Sequence, residues 1–228
     1  MSEGADIFST RMRKATRTIH NVSDALVNAK FAICKYIIIN ALRNEQVWGG
    51  GLFIFYHVFA YLEDAKERLN MPEFNKLFKA FEDDLSHYLG ESWRSIPKAA
   101  ALDNYMQHLQ DLEKESPKLL MAYVYHMYLG LLKNAQSVQY KDKVTDFTDV
   151  DIPQLKKDFR EAMNQIAATL SDEEKEALIE EGKQVFIMNN LIVNSVGGQN
   201  TVLLNLLVKA SAVVLVFAGV VAAYKWYK

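Results

Sequence analysis

Apolar residues in this chain recur three and four apart, and no stretch alternates with period two for long. That period puts apolar side chains on one stripe of a helix, whereas a half-buried strand needs period two. Phe74, Leu77, Phe78, Phe81 and Leu85 share one such stripe, and Leu102, Tyr105, Met106, Leu109 and Leu112 share another. The four prolines, Pro72, Pro97, Pro117 and Pro153, stand where one helix can end and the next begin. Ser116-Pro117 places proline in the first turn of a helix. Ser171-Asp-Glu-Glu174 is a capping-box pattern ahead of Leu178 and Ile179. The polar, irregular run Gln139–Asp151 reads as a loop. Gly49-Gly50-Gly51 reads as a turn leading into a helix, and no Lys-Ser/Thr follows to make it a phosphate loop. No internal repeat is visible, and the fold class expected is all-α.

A second constraint lies at the far end. Leu206–Tyr224 is apolar apart from Lys209 and Ser211. As a helix this run would rise roughly 28 Å, close to the thickness of a bilayer core. Lys209 can snorkel to the headgroups, and Lys225-Trp-Tyr-Lys228 are residues favoured at an interface. The expected organisation is a helical domain over residues 1–199 and a membrane anchor over 200–228, spanning at about 206–224. The first 25 residues are polar and charged, unlike a signal peptide. The bulk is therefore expected on the cytosolic face of the endoplasmic reticulum, with the mitochondrial outer membrane as the alternative. A net charge of −2 argues against a general nucleic-acid binder. The lone Cys34 excludes an intrachain disulfide, in keeping with a reducing compartment.

Few residues form a constellation that could carry chemistry. Among five histidines, His87 and His108 lack company, and His57 sits in an aromatic run (Phe53, Phe55, Tyr56, Phe59) that reads as packing. His20 differs. Arg13, Thr16, Arg17 and His20 fall on one helix face, and Asp24 lies one turn beyond, where a carboxylate can orient an imidazole. An imidazole beside two guanidinium groups suits an anionic ligand with a metal at its centre. Heme is such a ligand, since histidine binds its iron and cations meet its propionates. An ordinary solvated basic face has the same spacing. Arg11 and Lys14 add to this first basic cluster, and Lys156, Lys157 and Arg160 form a second. Acidic runs such as Glu82-Asp83-Asp84 and Glu173-Glu174 read as solvated helix faces. HExxH, paired ExxH, GxSxG and CxxC are all missing.

Several strings resemble, in order, those of the heme oxygenases. They are Arg13-Lys-Ala-Thr-Arg-Thr-Ile-His20, Tyr56-His-Val-Phe-Ala-Tyr-Leu-Glu63, Phe81 to Trp93, and Leu119 to Gly130. Lys156, Arg160, Met163-Asn164, Phe186 and Asn189 match later helices. The pattern is that of the membrane-anchored, biliverdin-producing eukaryotic type, insect-like in character. The resemblance implies an all-α fold that clamps heme b between a proximal and a distal helix, heme being both cofactor and substrate. It implies O2 and electrons from NADPH–cytochrome P450 reductase, and biliverdin, CO and ferrous iron as products. By position, His20 is the axial ligand of the iron and Asp24 its orienting partner. Arg13, Lys156 and Arg160 match residues that meet the propionates, with Arg17 and Thr16 beside them, and Tyr125 matches a propionate-side tyrosine. Phe186 and Asn189 complete the cofactor-binding set.

The distal helix departs from the family. Where the family reads G-D-L-S-G-G-Q, this chain has Gly130-Leu-Leu-Lys-Asn-Ala-Gln136. Gly130 remains, Asn134 and Ala135 replace two glycines, and Leu131 replaces the acid. Met127 stands at a further position that is often arginine. In the family, glycines let the backbone approach the heme, and the acid holds water that delivers protons to the reacting oxygen. Gly130, Leu131 and Asn134 are thus the catalytic positions at issue. One reading is a working but slower oxygenase, with ordered water in place of the acid. Another is a heme sensor or buffer without turnover, and a third is a membrane-anchored scaffold that never binds heme. Ile33–Asn40 looks extra relative to the family and is rich in β-branched residues. It is either an added core segment or a retained intron read as protein.

Overall fold

The computed structural model describes residues 7–17, 19, 45–68, 76–134, 143–148 and 150–196. Helix α1 covers residues 8–17. It is followed by α2 (Glu45–Arg68), α3 (Lys76–Leu89), α4 (Ala100–Glu115), α5 (Leu120–Asn134), α6 (Ile152–Ala168) and α7 (Asp172–Ser195). Short 3-10 turns lie at Trp93–Ser95, Pro117–Leu119 and Lys143–Thr145. No strand occurs among the described residues, as the 3.6-residue period requires. Ile33–Asn40, Asp24 and the apolar run 206–224 lie outside the described residues.

Local signals place several helix ends. At the start of α7, the Ser171 hydroxyl accepts from the Glu174 N–H, and the Glu174 carboxylate accepts from the Ser171 N–H. Asp151 caps α6 by accepting from Gln154 N at 3.0 Å, with Pro153 in the first turn. After α3 the chain turns at Gly90, whose φ of 79° lies in the left-handed region that favours glycine. The glycine run behaves differently from the turn expected there. Helix α2 begins at Glu45, so Gly49-Gly50-Gly51 lie inside it. A Cβ on Gly49 would stand 2.7 Å from Leu89 Cδ2 and 2.9 Å from Tyr88 Cβ. The small residue lets α2 cross the end of α3 at close range, a tertiary demand that outweighs glycine's poor helix propensity.

Helix α5 is the centre of the molecule. Ala122, Tyr123, Val124, Tyr125, Met127, Tyr128 and Leu132 are all buried, and the helix packs on α7, α6, α2 and α4. A helix apolar on nearly every side has to be enclosed. Around it lie the buried Leu62, Leu85, Leu102, Leu109, Met163, Leu178 and Val185. Helix α2 meets α5 through the buried Lys66: its ammonium pairs with Glu63 within α2 at 2.8 Å and lies 5.2 Å from the Tyr128 ring centroid of α5. Tyr128 in turn stacks on Phe159 of α6, with centroids 5.9 Å apart.

Asp84 is not part of a solvated face. It is 6% exposed and accepts from the N–H groups of Lys143, at 3.2 Å, and Val144, at 2.9 Å. Its neighbour Asp83 pairs with the Lys143 ammonium, and Glu82 accepts from Tyr56 and Arg94. The acidic run is therefore an anchor for the turn at Lys143–Thr145, because a buried carboxylate needs donors and a tight turn supplies two. Asp84→Ala strands both N–H groups and is expected to destabilise the fold by about 2–3 kcal/mol in urea denaturation.

His57 packs edge-on to Phe53 and Tyr56, at 4.8 and 5.3 Å, as its aromatic surroundings suggest. Burial, with Lys98 adding to it and Asp103 opposing, pushes its pKa down to about 4. The folded state then binds fewer protons than the unfolded state, whose histidine titrates near 6.5. This contribution to stability is complete above pH 6.5 and is lost as pH falls toward 4. Allowing for the solvent that reaches the ring, the loss from pH 7 to pH 5 is about 1 kcal/mol. Thermal unfolding of His57→Phe is expected to be flatter over that range than that of the native chain.

Candidate heme-binding site

Helix α1 is held on three sides. Phe8 and Met12 are buried beneath it, the Ser9 N–H donates to Asn164 Oδ1 of α6 at 2.9 Å, and Arg11 pairs with Glu176 of α7. Met12 reaches a crowded junction with α5 and α7. There a Cβ on Gly182 would lie 2.9 Å from His126 Nε2 and 3.3 Å from Met12 Cε. The imidazole of His126 also meets Phe186 of α7 edge-on, with centroids 5.0 Å apart. Gly182 is thus the space that α5's imidazole fills, and α1 rests on that contact.

Above this junction the basic residues converge. Tyr125 is buried on α5, which raises its phenol pKa, while Arg160 of α6 and Arg13 of α1 pull it back. Three helices therefore bring one phenol and two guanidinium groups into a common electrostatic neighbourhood. The guanidinium groups of Arg13 and Arg160 belong to exposed residues, as does that of Arg17. Lys156, one turn before Arg160 on α6, is half-buried. An anion bearing two carboxylates finds in this cluster charge, hydrogen-bond donors and a partly dry floor.

Other expected site residues take different positions. His20 and Asp24 lie outside the described residues, although helical conformation extends to Ile19. Thr16 is 4% exposed, and its hydroxyl donates to the carbonyls of Met12 and Arg13. It faces the core rather than sharing the solvent-exposed face of Arg13 and Arg17, because a satisfied threonine hydroxyl can be buried whereas a guanidinium resists burial. Asn189 is engaged within the helix packing, accepting from Tyr105 at 3.0 Å and donating to Met127 Sδ at 3.4 Å. Leu131 packs against the core. Asn134 is the last residue of α5, and its side chain lies outside the described ones. Gly130 differs from Gly49 and Gly182: a Cβ there would meet nothing within 4 Å. Next to that glycine, α5 presents bare backbone to open space.

Sequence reasoning missed one polar network. Glu181 of α7 takes the Tyr123 hydroxyl at 2.6 Å and His108 Nε2 at 2.7 Å, tying α4, α5 and α7 together. His108 therefore has company, but from a residue 73 positions away, which no local pattern reveals. Burial and the Glu181 carboxylate both raise the Tyr123 phenol pKa.

The two helical glycines Gly182 and Gly130 have opposite expected costs. Gly182→Ala must displace His126 or Met12 and is expected to lower stability by about 1–3 kcal/mol. Gly130→Ala is expected to be neutral or to raise stability by up to about 1 kcal/mol, because helix propensity improves and no neighbour is met. Thermal melts of the two variants check both values.

Comparison with known proteins places the chain in a family. The sequence model of the family described as heme oxygenase matches residues 6–195. Human heme oxygenase 1 is 26% identical over 210 residues, covering 80% of this chain and 69% of that protein. Heme oxygenase 1 of Synechocystis is 24% identical over 213 residues, covering 84% and 85%. The crystal structure of heme oxygenase 2 from Chlamydomonas reinhardtii without heme superposes with a TM-score of 0.67 at 28% identity, covering 83% of this chain and 97% of that one. The structure of heme oxygenase-1 from Synechocystis in complex with heme shares the fold, with a TM-score of 0.73 at 21% identity over 90% and 99%. With the family model spanning all seven helices, this chain belongs to the heme oxygenase family.

Proposed function

We propose that this protein is a working heme oxygenase that opens heme b to biliverdin, CO and ferrous iron with O2 and electrons from an NADPH–cytochrome P450 reductase. The observation that carries the reading is that Arg13 and Arg160 act on the buried Tyr125 of α5, the helix whose Gly130, five residues further on, faces open space. The residues present fit heme: cations and a phenol for its propionates, and bare helix backbone for a flat face. When bound, heme supplies the iron that activates O2 and the ring that is cleaved.

The chain's own residues bind and orient. His20 would hold the heme iron, and Asp24, four residues on in the sequence, would orient its imidazole. Arg13, Arg17, Lys156 and Arg160 hold the propionates and so fix the rotation of the ring in its slot. That rotation decides which meso carbon faces the reacting oxygen. Gly130 allows α5 to approach without a side chain between, and Phe186 braces α5 from α7 through His126. In place of the missing acid, water ordered on the exposed backbone near Gly130 delivers protons. The apolar segment 206–224 anchors the chain in the endoplasmic reticulum membrane, with the outer mitochondrial membrane as the other host, and leaves the site in the cytosol.

A second reading, heme binding without turnover, draws support from the same helix. Met127 is 5% exposed and occupied with Asn189, while Leu131 packs into the core. This side of α5 therefore offers no acid to a proton path. Single turnover of the detergent-solubilised full chain with hemin, reductase and NADPH under air separates the readings. Loss of the Soret band with growth of the broad biliverdin absorption is expected. A Soret band that persists establishes the binder, and failure to take up one equivalent of hemin removes both. Arg160→Ala is expected to weaken hemin binding roughly tenfold, about 1.4 kcal/mol, and to broaden the biliverdin isomer distribution.

A further inference from the structure

The two halves of α7 differ sharply in charge. Asp172–Lys183 holds eight charged residues among twelve, whereas Gln184–Ser195 holds none. The charge-free run continues to Val208, 25 residues from Gln184, and so passes into the apolar segment that begins at Leu206. The second half of α7 is nevertheless not enclosed. Ile187 is 40% exposed, Leu191 56% and Val193 41%. Gln184, Asn190 and Asn194 are exposed beside them. Ile187 and Leu191 lie one turn apart on the same face. An exposed helix in water carries charge on its outer face, as the first half of α7 does. Uncharged amides with exposed branched aliphatics instead suit a boundary where charge is costly and apolar side chains can be received.

We propose that the second half of α7 rests on the membrane, with Ile187 and Leu191 entering the boundary between headgroups and acyl chains of a phospholipid bilayer. This rests on the reading of 206–224 as an anchor. Continuity points to lipid: in sequence, no charged residue separates the second half of α7 from the apolar segment. A second copy of the chain is a poorer occupant. Two or three aliphatic side chains fall well short of the roughly 1,200 Å² that a stable protein interface buries. The contact would fix the distance of the heme site from the bilayer, so that the domain does not swing freely on its tether.

The test uses the full chain with Cys34→Ser, carrying one cysteine labelled with a nitrobenzoxadiazole fluorophore, in phosphatidylcholine vesicles. Leu191→Cys and Ile187→Cys report on the contact, Glu173→Cys on the charged half of α7, and Val214→Cys on the anchor. Hemin uptake checks that each variant is folded. Replacing part of the lipid with phosphatidylcholine dibrominated at acyl carbons 6 and 7 should quench the labels at 187 and 191 at least twofold. It should quench the label at 214 more strongly and leave the label at 173 unchanged. If 214 is quenched while 187 and 191 behave like 173, the anchor stands and the contact is overturned. If none is quenched, the anchor reading fails and takes the proposal with it. Blue-shifted emission at 191 without quenching by lipid would show that protein covers the face, a second copy or this chain's own segment, and would also overturn it.

Discussion

The architecture depends on the contact where Met12 of α1, His126 of α5 and Gly182 of α7 meet. A Cβ on Gly182 would stand 2.9 Å from the imidazole, so the three helices are as near as a missing side chain allows. Interiors packed to crystal density transmit such constraints. The position of α1 follows from how deeply His126 is seated. The Ser9–Asn164 hydrogen bond and the Arg11–Glu176 pair then fix α1 against rotation. The exposed pair is worth little by itself, and the buried contacts of Phe8 and Met12 carry most of the attachment.

Helix α5 converts this packing into a site. Its buried sides are occupied by structural work: Tyr123 with Glu181, Tyr128 between Lys66 and Phe159, and Met127 with Asn189. Tyr125 is left beside the cations and Gly130 beside open space. Buried polar groups that are satisfied by one another have one arrangement and resist sliding. A helix held in this way can present backbone to a flat ligand without collapsing onto the gap. The same packing occupies its neighbours: Asn189 is committed to Tyr105 and Met127, and Leu131 to the core.

Much of this was legible in the residues. The period of the apolar positions specified an all-helical chain, and the capping box at Ser171–Glu174 marked the start of α7. The ordered motifs identified the family that comparison shows. Other features were not legible. Glu82-Asp83-Asp84 has the composition of a solvated face, yet Asp84 is buried because a turn sixty residues away needs an acceptor. His108 looked isolated because its partner lies on another helix. Gly49-Gly50-Gly51 looked like a turn, yet it is helical because α3 crosses there. In each case the deciding partner is remote in sequence, and local composition carries no trace of it.

The sequence by itself determined the helical class, the helix ends that depend on capping and proline, and the presence of paired basic clusters at Arg13–Arg17 and Lys156–Arg160. Those outcomes depend on interactions between residues a few positions apart, which the order of residues states directly. The tertiary structure alone decided that Arg13 and Arg160 share Tyr125 as a neighbour. It also decided that Thr16 turns inward, that Asn189 serves the packing, and that Gly130 faces space while Gly182 faces an imidazole. Two glycines in helices are indistinguishable as letters. What separates them is the atom standing where the Cβ would be, and only the packing of other helices places it.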